Sequence, residues 1–135
     1  MDAMEISASA LTAERTRMNQ ISSNLANANS TRTAEGGPYR RKDAVFATML
    51  DSAGAKMGVG GVEVVAVVED QSAPRLQYEP GHPDARPDGY VAYPNVNVVE
   101  EMADMMAATR TYEANVTAMK AGMDMQMKAL TIGAK

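Results

Sequence analysis

The chain has 135 residues, a formal net charge of −4, no cysteine, no tryptophan and a single phenylalanine. That length suits one modest domain or two small ones, and an acidic balance with so few rings to stack bases argues against nucleic-acid binding. The missing cysteine excludes disulfides, thiolate metal sites and a cysteine nucleophile, while the longest purely apolar run, Val64 to Val68, is far short of a bilayer span.

The N-terminus is acidic and leads into no apolar core of a signal peptide, so a cleavable secretory signal is not expected. Residues 2 to about 28 read as a helix. Asp2 and Glu5 can make a capping box. Met4, Leu11, Met18 and Leu25 recur every seven residues, with Ile21 and Ala28 on the neighbouring seam position. The rest of this helix is rich in Ser, Thr and Asn, residues of middling or poor helix propensity. Alone it should be marginal. Its short polar side chains suit close packing with side-chain hydrogen bonds.

The stretch Asn24-Leu25-Ala26-Asn27-Ala28-Asn29 leaves the apolar pattern and should end the helix, since Asn tolerates αL and bonds its own backbone. Residues 31–43 read as a linker. Gly36-Gly37-Pro38 breaks the chain. The basic run Tyr39-Arg40-Arg41-Lys42 reads as a solvated patch or as a contact for an acidic neighbouring subunit.

Residues 44–98 read as a small antiparallel β-rich domain. Ala44 to Leu50 is a candidate strand or short helical turn. Asp51 to Gly61, with four glycines, reads as a loop, and lacks the Gly-Lys-Ser/Thr of a phosphate-binding loop. Val62 to Glu69 has five valines in eight residues and is the best strand. Pro74 to Tyr78 and Tyr90 to Tyr93 are shorter strands, separated by a segment dense in Pro, Gly and Asp. That segment carries His82, the only histidine. A lone histidine in a turn is poor stock for a metal site and cannot furnish a catalytic constellation. No cofactor, metal or enzymatic activity is expected.

Val99 to Leu130 runs without proline and with one glycine, Gly122. Met102, Thr109, Val116, Met123 and Leu130 fall on one heptad position and Met105, Tyr112, Met119 and Gln126 on another, the a and d pattern of a helical seam. Asn97 and Glu100 read as its N-terminal cap and Gly133 as its stop. A helix of this length is about 48 Å long, more than so small a domain can wrap. Two terminal helices, residues 1–30 and 99–135, are therefore expected to pack together as an antiparallel coiled coil, giving an α+β fold with the β-rich middle inserted between them. The residues expected at assembly interfaces are Met4, Leu11, Met18, Ile21, Asn24, Leu25, Asn27, Met102, Met105, Tyr112, Val116, Met119, Met123 and Leu130. An ordinary amphipathic core helix and a soluble coiled-coil adaptor are the competing readings. A membrane-surface role lacks the Lys/Arg-rich polar face and the aromatics it needs.

Three groups of residues carry a family resemblance. They are Ser23 to Asn29; Gly37 to Lys42 with Gly81-His82-Pro83-Asp84-Ala85 and Gly89 to Asn97; and Glu100-Glu101-Met102, Arg110 to Asn115 and Lys128-Ala129-Leu130. Together they span nearly the whole chain, which resembles bacterial flagellar basal-body rod proteins. The resemblance implies a structural subunit for motility. It implies export through the flagellar type III apparatus without a cleaved signal, and assembly with copies of itself and other rod proteins into a hollow helical rod crossing the periplasm. It further implies that the terminal helices line the inner tube and the β-rich middle lies outside, with no direct insertion into a membrane.

Overall fold

The structure is a computed structural model and describes residues 3–50 and 59–134. The proposed Asp2 cap and most of the glycine-rich loop lie outside the described residues. In chain order the elements are α1 (Ala3–Ala26), β1 (Lys42–Leu50), β2 (Val59–Glu69), β3 (Arg75–Tyr78), β4 (Tyr90–Tyr93) and α2 (Val98–Gly133). Two long terminal helices thus enclose two antiparallel two-stranded sheets, β1–β2 and β3–β4.

The helices run antiparallel. Met4 lies against Gly122 at one end, and Asn24 bonds Glu101 at the other. A side chain at Gly122 would meet Met4 Cγ at 2.9 Å, so glycine here gives the methionine its place on the facing helix. Asn97 caps α2 as its sequence position requires: its Oδ1 accepts from the amides of Val99 (3.1 Å) and Glu100 (3.3 Å). Among the described residues, neither helix is long and apolar enough to cross a membrane.

On α2 Glu101 and Ala108 are buried and Met105, Tyr112, Asn115, Met119 and Gly122 half-buried, positions that alternate at four and three residues and run from the contact with Asn24 of α1 to the contact with Met4. One expected heptad row, Met105–Tyr112–Met119, lies in this seam. The other lies one residue to the side: Met102 is 54 % exposed and Met123 47 %, and Thr109 and Val116 are half-buried. The central row is Glu101, Ala108, Asn115 and Gly122. Ala108 and Gly122 let two backbones approach closely, whereas methionines there would hold them apart. Met102 and Met123 are accordingly left on the flank.

Opposite faces of α1 are covered by different partners. The row Met4, Ser7, Leu11, Glu14, Met18, Ile21 and Leu25 serves the helix pair, while Ser9, Ala13, Thr16 and Asn24 turn toward β1–β2. This explains much of the polar composition of α1. Ser9 Oγ donates to the carbonyl of Ile6 (2.7 Å) and accepts from the Val62 amide (3.0 Å), joining helix to strand. Gly60 and Gly61, expected in the loop, belong to β2. A side chain at Gly60 would strike the Met49 backbone and one at Gly61 the Ser9 hydroxyl, so close approach rather than flexibility selects glycine.

Apolar burial is thin. Among the described residues the buried apolar set is Ala13, Ile21, Ala28, Val91, Val96 and Ala108, mostly small, and the largest fully buried side chains include Glu101 and Asn24. Glu14 is also buried within the helix pair, with one carboxylate oxygen lacking a hydrogen-bond partner and Arg17 Nη1 3.7 Å away. Such a group is less favourable than an apolar one of similar volume. Glu14→Leu should therefore stabilise the chain by about 1–2 kcal/mol, read as a higher urea midpoint with an unchanged slope. An unchanged or lowered midpoint would show that Glu14 is already well compensated.

Candidate assembly site

A buried polar hub ties the two helices to the middle of the chain. Asn24, wholly buried on the last turn of α1, acts as a substitute strand edge for β1. Its Nδ2 donates to the Lys42 carbonyl (2.8 Å) and its Oδ1 accepts from the Lys42 amide (3.0 Å). Oδ1 also accepts from the Tyr39 hydroxyl (2.8 Å), and Nδ2 lies 3.4 Å from Glu101 Oε2. The other Glu101 oxygen pairs with Arg41 Nε. Arg41 further approaches Asp43 (3.5 Å), Asp70 (4.0 Å) and Asp104 (3.8 Å). Burial works against its charge, but the Glu101 carboxylate and then Asp43 outweigh that and hold the guanidinium above its ordinary value.

Asn95 extends the hub. Its Oδ1 accepts from the Arg41 amide (2.8 Å), and its Nδ2 donates to the carbonyls of Asp70 (3.1 Å) and Ser72 (3.2 Å). One asparagine thus fixes the start of β1 relative to the end of β2. The basic run is therefore not simply a solvated patch or a contact for a neighbour. Arg41 is satisfied within its own chain, and exposed Arg40 donates to Gln71 (3.0 Å).

The linker is held from the β3–β4 turn. Asp84 accepts from Thr31 Oγ1 (2.7 Å) and from Arg32 Nε (2.9 Å) and Nη2. His82 Nδ1 accepts from the Asp84 amide (3.0 Å), which gives the lone histidine a role in shaping the turn. The Thr31 hydrogen bond first, then Arg32, depresses the Asp84 carboxyl below its usual range. A group depressed on folding contributes stability above its unfolded pKa and loses it as pH falls through the lower folded value. The contact of residues 31–32 should hold at neutral pH and loosen below about pH 4. Proton resonances of Thr31 and Arg32 should shift in that window, and Asp84→Asn should abolish the transition. A transition surviving in Asp84→Asn would assign it elsewhere, for instance to Asp70, which the Ser72 hydroxyl and amide depress.

The residues expected at interfaces fall into three environments. Ile21 and Asn24 are buried inside the chain. Met4, Leu11, Met18, Leu25, Asn27, Met105, Tyr112, Val116 and Met119 are half-buried; Met102, Met123 and Leu130 are exposed. Asn27 Nδ2 donates to the Ser23 carbonyl (2.9 Å) and its Oδ1 accepts from Ser30 Oγ (3.1 Å), closing the helix end. Beyond Gly122, α2 runs on for residues 123–133, about 16 Å, past the level of Met4. This end is exposed on every side, with Met125 70 %, Leu130 74 % and Ile132 75 % exposed. Sequence reasoning missed Glu101, Arg41 and Asn95. The only signal for them was their place in the motifs around positions 37–42, 89–97 and 100–102.

Two family models match the helical ends: one described as flagella basal body rod protein over residues 4–32, and one described as flagellar basal body rod FlgEFG protein C-terminal over residues 88–132. The chain is 47 % identical over 143 residues to the flagellar basal-body rod protein FlgC of Bacillus subtilis, covering 96 % of this chain and 95 % of that one. The chain belongs to the FlgC family of flagellar basal-body rod proteins. It is 44 % identical to the FlgC protein of Salmonella typhimurium (98 % and 97 % covered) and 41 % to that of Borreliella burgdorferi (96 % and 94 %). It is accordingly a structural subunit of the rod rather than an enzyme, and it works by assembly with other rod proteins. Most residues of the hub lie in the motifs that carry the family resemblance, so those motifs hold the helix pair to the β hairpins.

Proposed function

We propose that this chain polymerises with copies of itself and other rod proteins into the hollow proximal part of the flagellar drive shaft. The observation that carries this reading is the exposed end of α2: Met123, Met125, Met127, Leu130 and Ile132 crowd its last three turns, and among the described residues nothing covers them, an apolar surface of the kind that marks a protein contact. Residues 1–30 and 99–135 form the inner-tube unit, residues 44–98 the outer one, and 31–43 connect them. Interface contacts come from the flanking row Met102, Thr109, Val116 and Met123, from Leu130, and from the half-buried edges of Met4, Leu11, Met18, Leu25, Met105, Tyr112 and Met119. Asn24 and Asn27 act indirectly, by setting how α1 ends.

Contacts in such a shaft must be heterologous, joining different faces of successive subunits, because a two-fold contact would close into a dimer. The thin apolar core is consistent with passage through a type III export channel in an unfolded state. The decisive experiment is isolation of basal bodies from cells carrying an epitope-tagged chain. The tag should remain with the rod after the filament and hook are removed. A tag found only as a discrete soluble dimer would favour the adaptor reading.

A further inference from the structure

At the end of the molecule opposite the exposed α2 terminus lies an open apolar groove of about 470 Å³, lined by Ala28, Asn29, Arg75 and residues 96–99. Its walls are Ala28 and Val96, both buried, with Val98 43 % and Val99 75 % exposed at its mouth. The volume lies in the roughly 300–1,000 Å³ range of clefts that hold a bound group. Val99 and Leu130 are separated by 31 positions of one helix, about 46 Å, so the groove cannot take the chain's own terminus.

We infer that this groove receives the apolar C-terminal helix end of an adjoining rod-family subunit, the segment that residues 123–132 supply in this chain. The inference rests on the rod reading above and names the contact within it. Two features favour this occupant. The chemistry matches, because methionine, leucine and isoleucine side chains on that end meet an alanine and valine wall. The electrostatics match as well. Arg75 lines the groove and is exposed there, a cation suited to the negative C-terminal end of a helix dipole. Arg75 is pre-positioned by its stacking over the Tyr93 ring, 4.9 Å from guanidinium carbon to centroid. A contact from one end of a subunit to the opposite end of the next does not close on itself and propagates along a helical array.

The test places a photoreactive residue at the mouth of the groove, Val99→p-benzoylphenylalanine, in the full chain. Irradiation is carried out on isolated rods, and the adducts are mapped by mass spectrometry. The expected adduct joins position 99 to the C-terminal helix end of a second subunit, residues 123–132 where that subunit is a copy of this chain. It should disappear when the copies carry Leu130→Glu and Ile132→Glu. Incorporation of the chain into rods with no adduct, or with adducts only to other segments, overturns the contact and leaves the rod reading intact. Absence of the unsubstituted chain from rods sinks both.

Discussion

Glu101→Leu should lower the unfolding free energy of the monomer by about 2–3 kcal/mol. Glu101 is 1 % exposed and meets Arg41 and Asn24, one on each oxygen. Removing one partner of a buried ion pair typically costs roughly 3–5 kcal/mol because the other charge is stranded. The lower figure applies here because the Arg41 side chain is 21 % exposed and keeps Asp43, Asp70 and Asp104 within 4.0 Å. The double variant Arg41→Met/Glu101→Leu should recover much of the loss, since it replaces the pair with apolar groups instead of orphaning a charge. Urea unfolding of the two single variants and the double variant gives the coupling energy directly. A double variant no better than the sum of the singles would mean that Arg41 is already solvated and that the hub rests on Asn24 and Asn95.

The elements with strong local signals were legible in the sequence. Asn97 caps α2 where a short acceptor side chain precedes a proline-free run, and the valine run at 62–69 forms the body of β2. The first residue of the three-and-four row of α1, Met4, lies against Gly122 of α2. The hub was not legible, because nothing local distinguishes Glu101 from its neighbour Glu100. One is wholly buried on Arg41, and the other is exposed on the first turn, where only a rotation of about 100° along the helix separates them. The seam was misread by one residue for a related reason. Periodicity weights side-chain size, whereas close helix packing places Ala108 and Gly122 at the centre and leaves Met102 and Met123 on the flank.

Packing also changes the expected autonomy of the β-rich middle. The sequence suggests a small β-rich domain inserted between a marginal first helix and a long second one. The fold instead has two separate two-stranded ladders, each marginal alone, and β1–β2 closes against α1 through Ser9, Ala13 and Asn24. Order in α1 and order in the hairpin therefore depend on each other. The second helix is different. It packs against α1, and among the described residues its link to the ladders is the pairing of Glu101 and Asp104 with Arg41 at the start of β1, with no comparable packing against either ladder. Changes on its outer flank can therefore alter assembly without dissolving the middle.

That separation sets up the second large effect. Val116→Asp should leave the monomer folded and should reduce its incorporation into rods by about 100-fold or more. Val116 lies beside the seam on α2, half-buried within the chain and in the row that also holds exposed Met102 and Met123. In the free subunit an aspartate there can turn its carboxylate into water, so the circular dichroism of the helices and the near-ultraviolet signal of Tyr78 and Tyr90, which stack edge to face at 5.3 Å, should persist. On the proposed assembly the same position closes against a neighbour, where an unpaired carboxylate would lose its water at a cost of several kcal/mol. Each 1.4 kcal/mol is tenfold in an equilibrium, so even 2.8 kcal/mol removes the subunit from the growing end. Val116→Ala, which loses packing without adding charge, should retain partial incorporation. Normal rods built from the aspartate variant would show that this flank faces solvent in the assembly, and the interface would then have to lie on the exposed end of α2 alone.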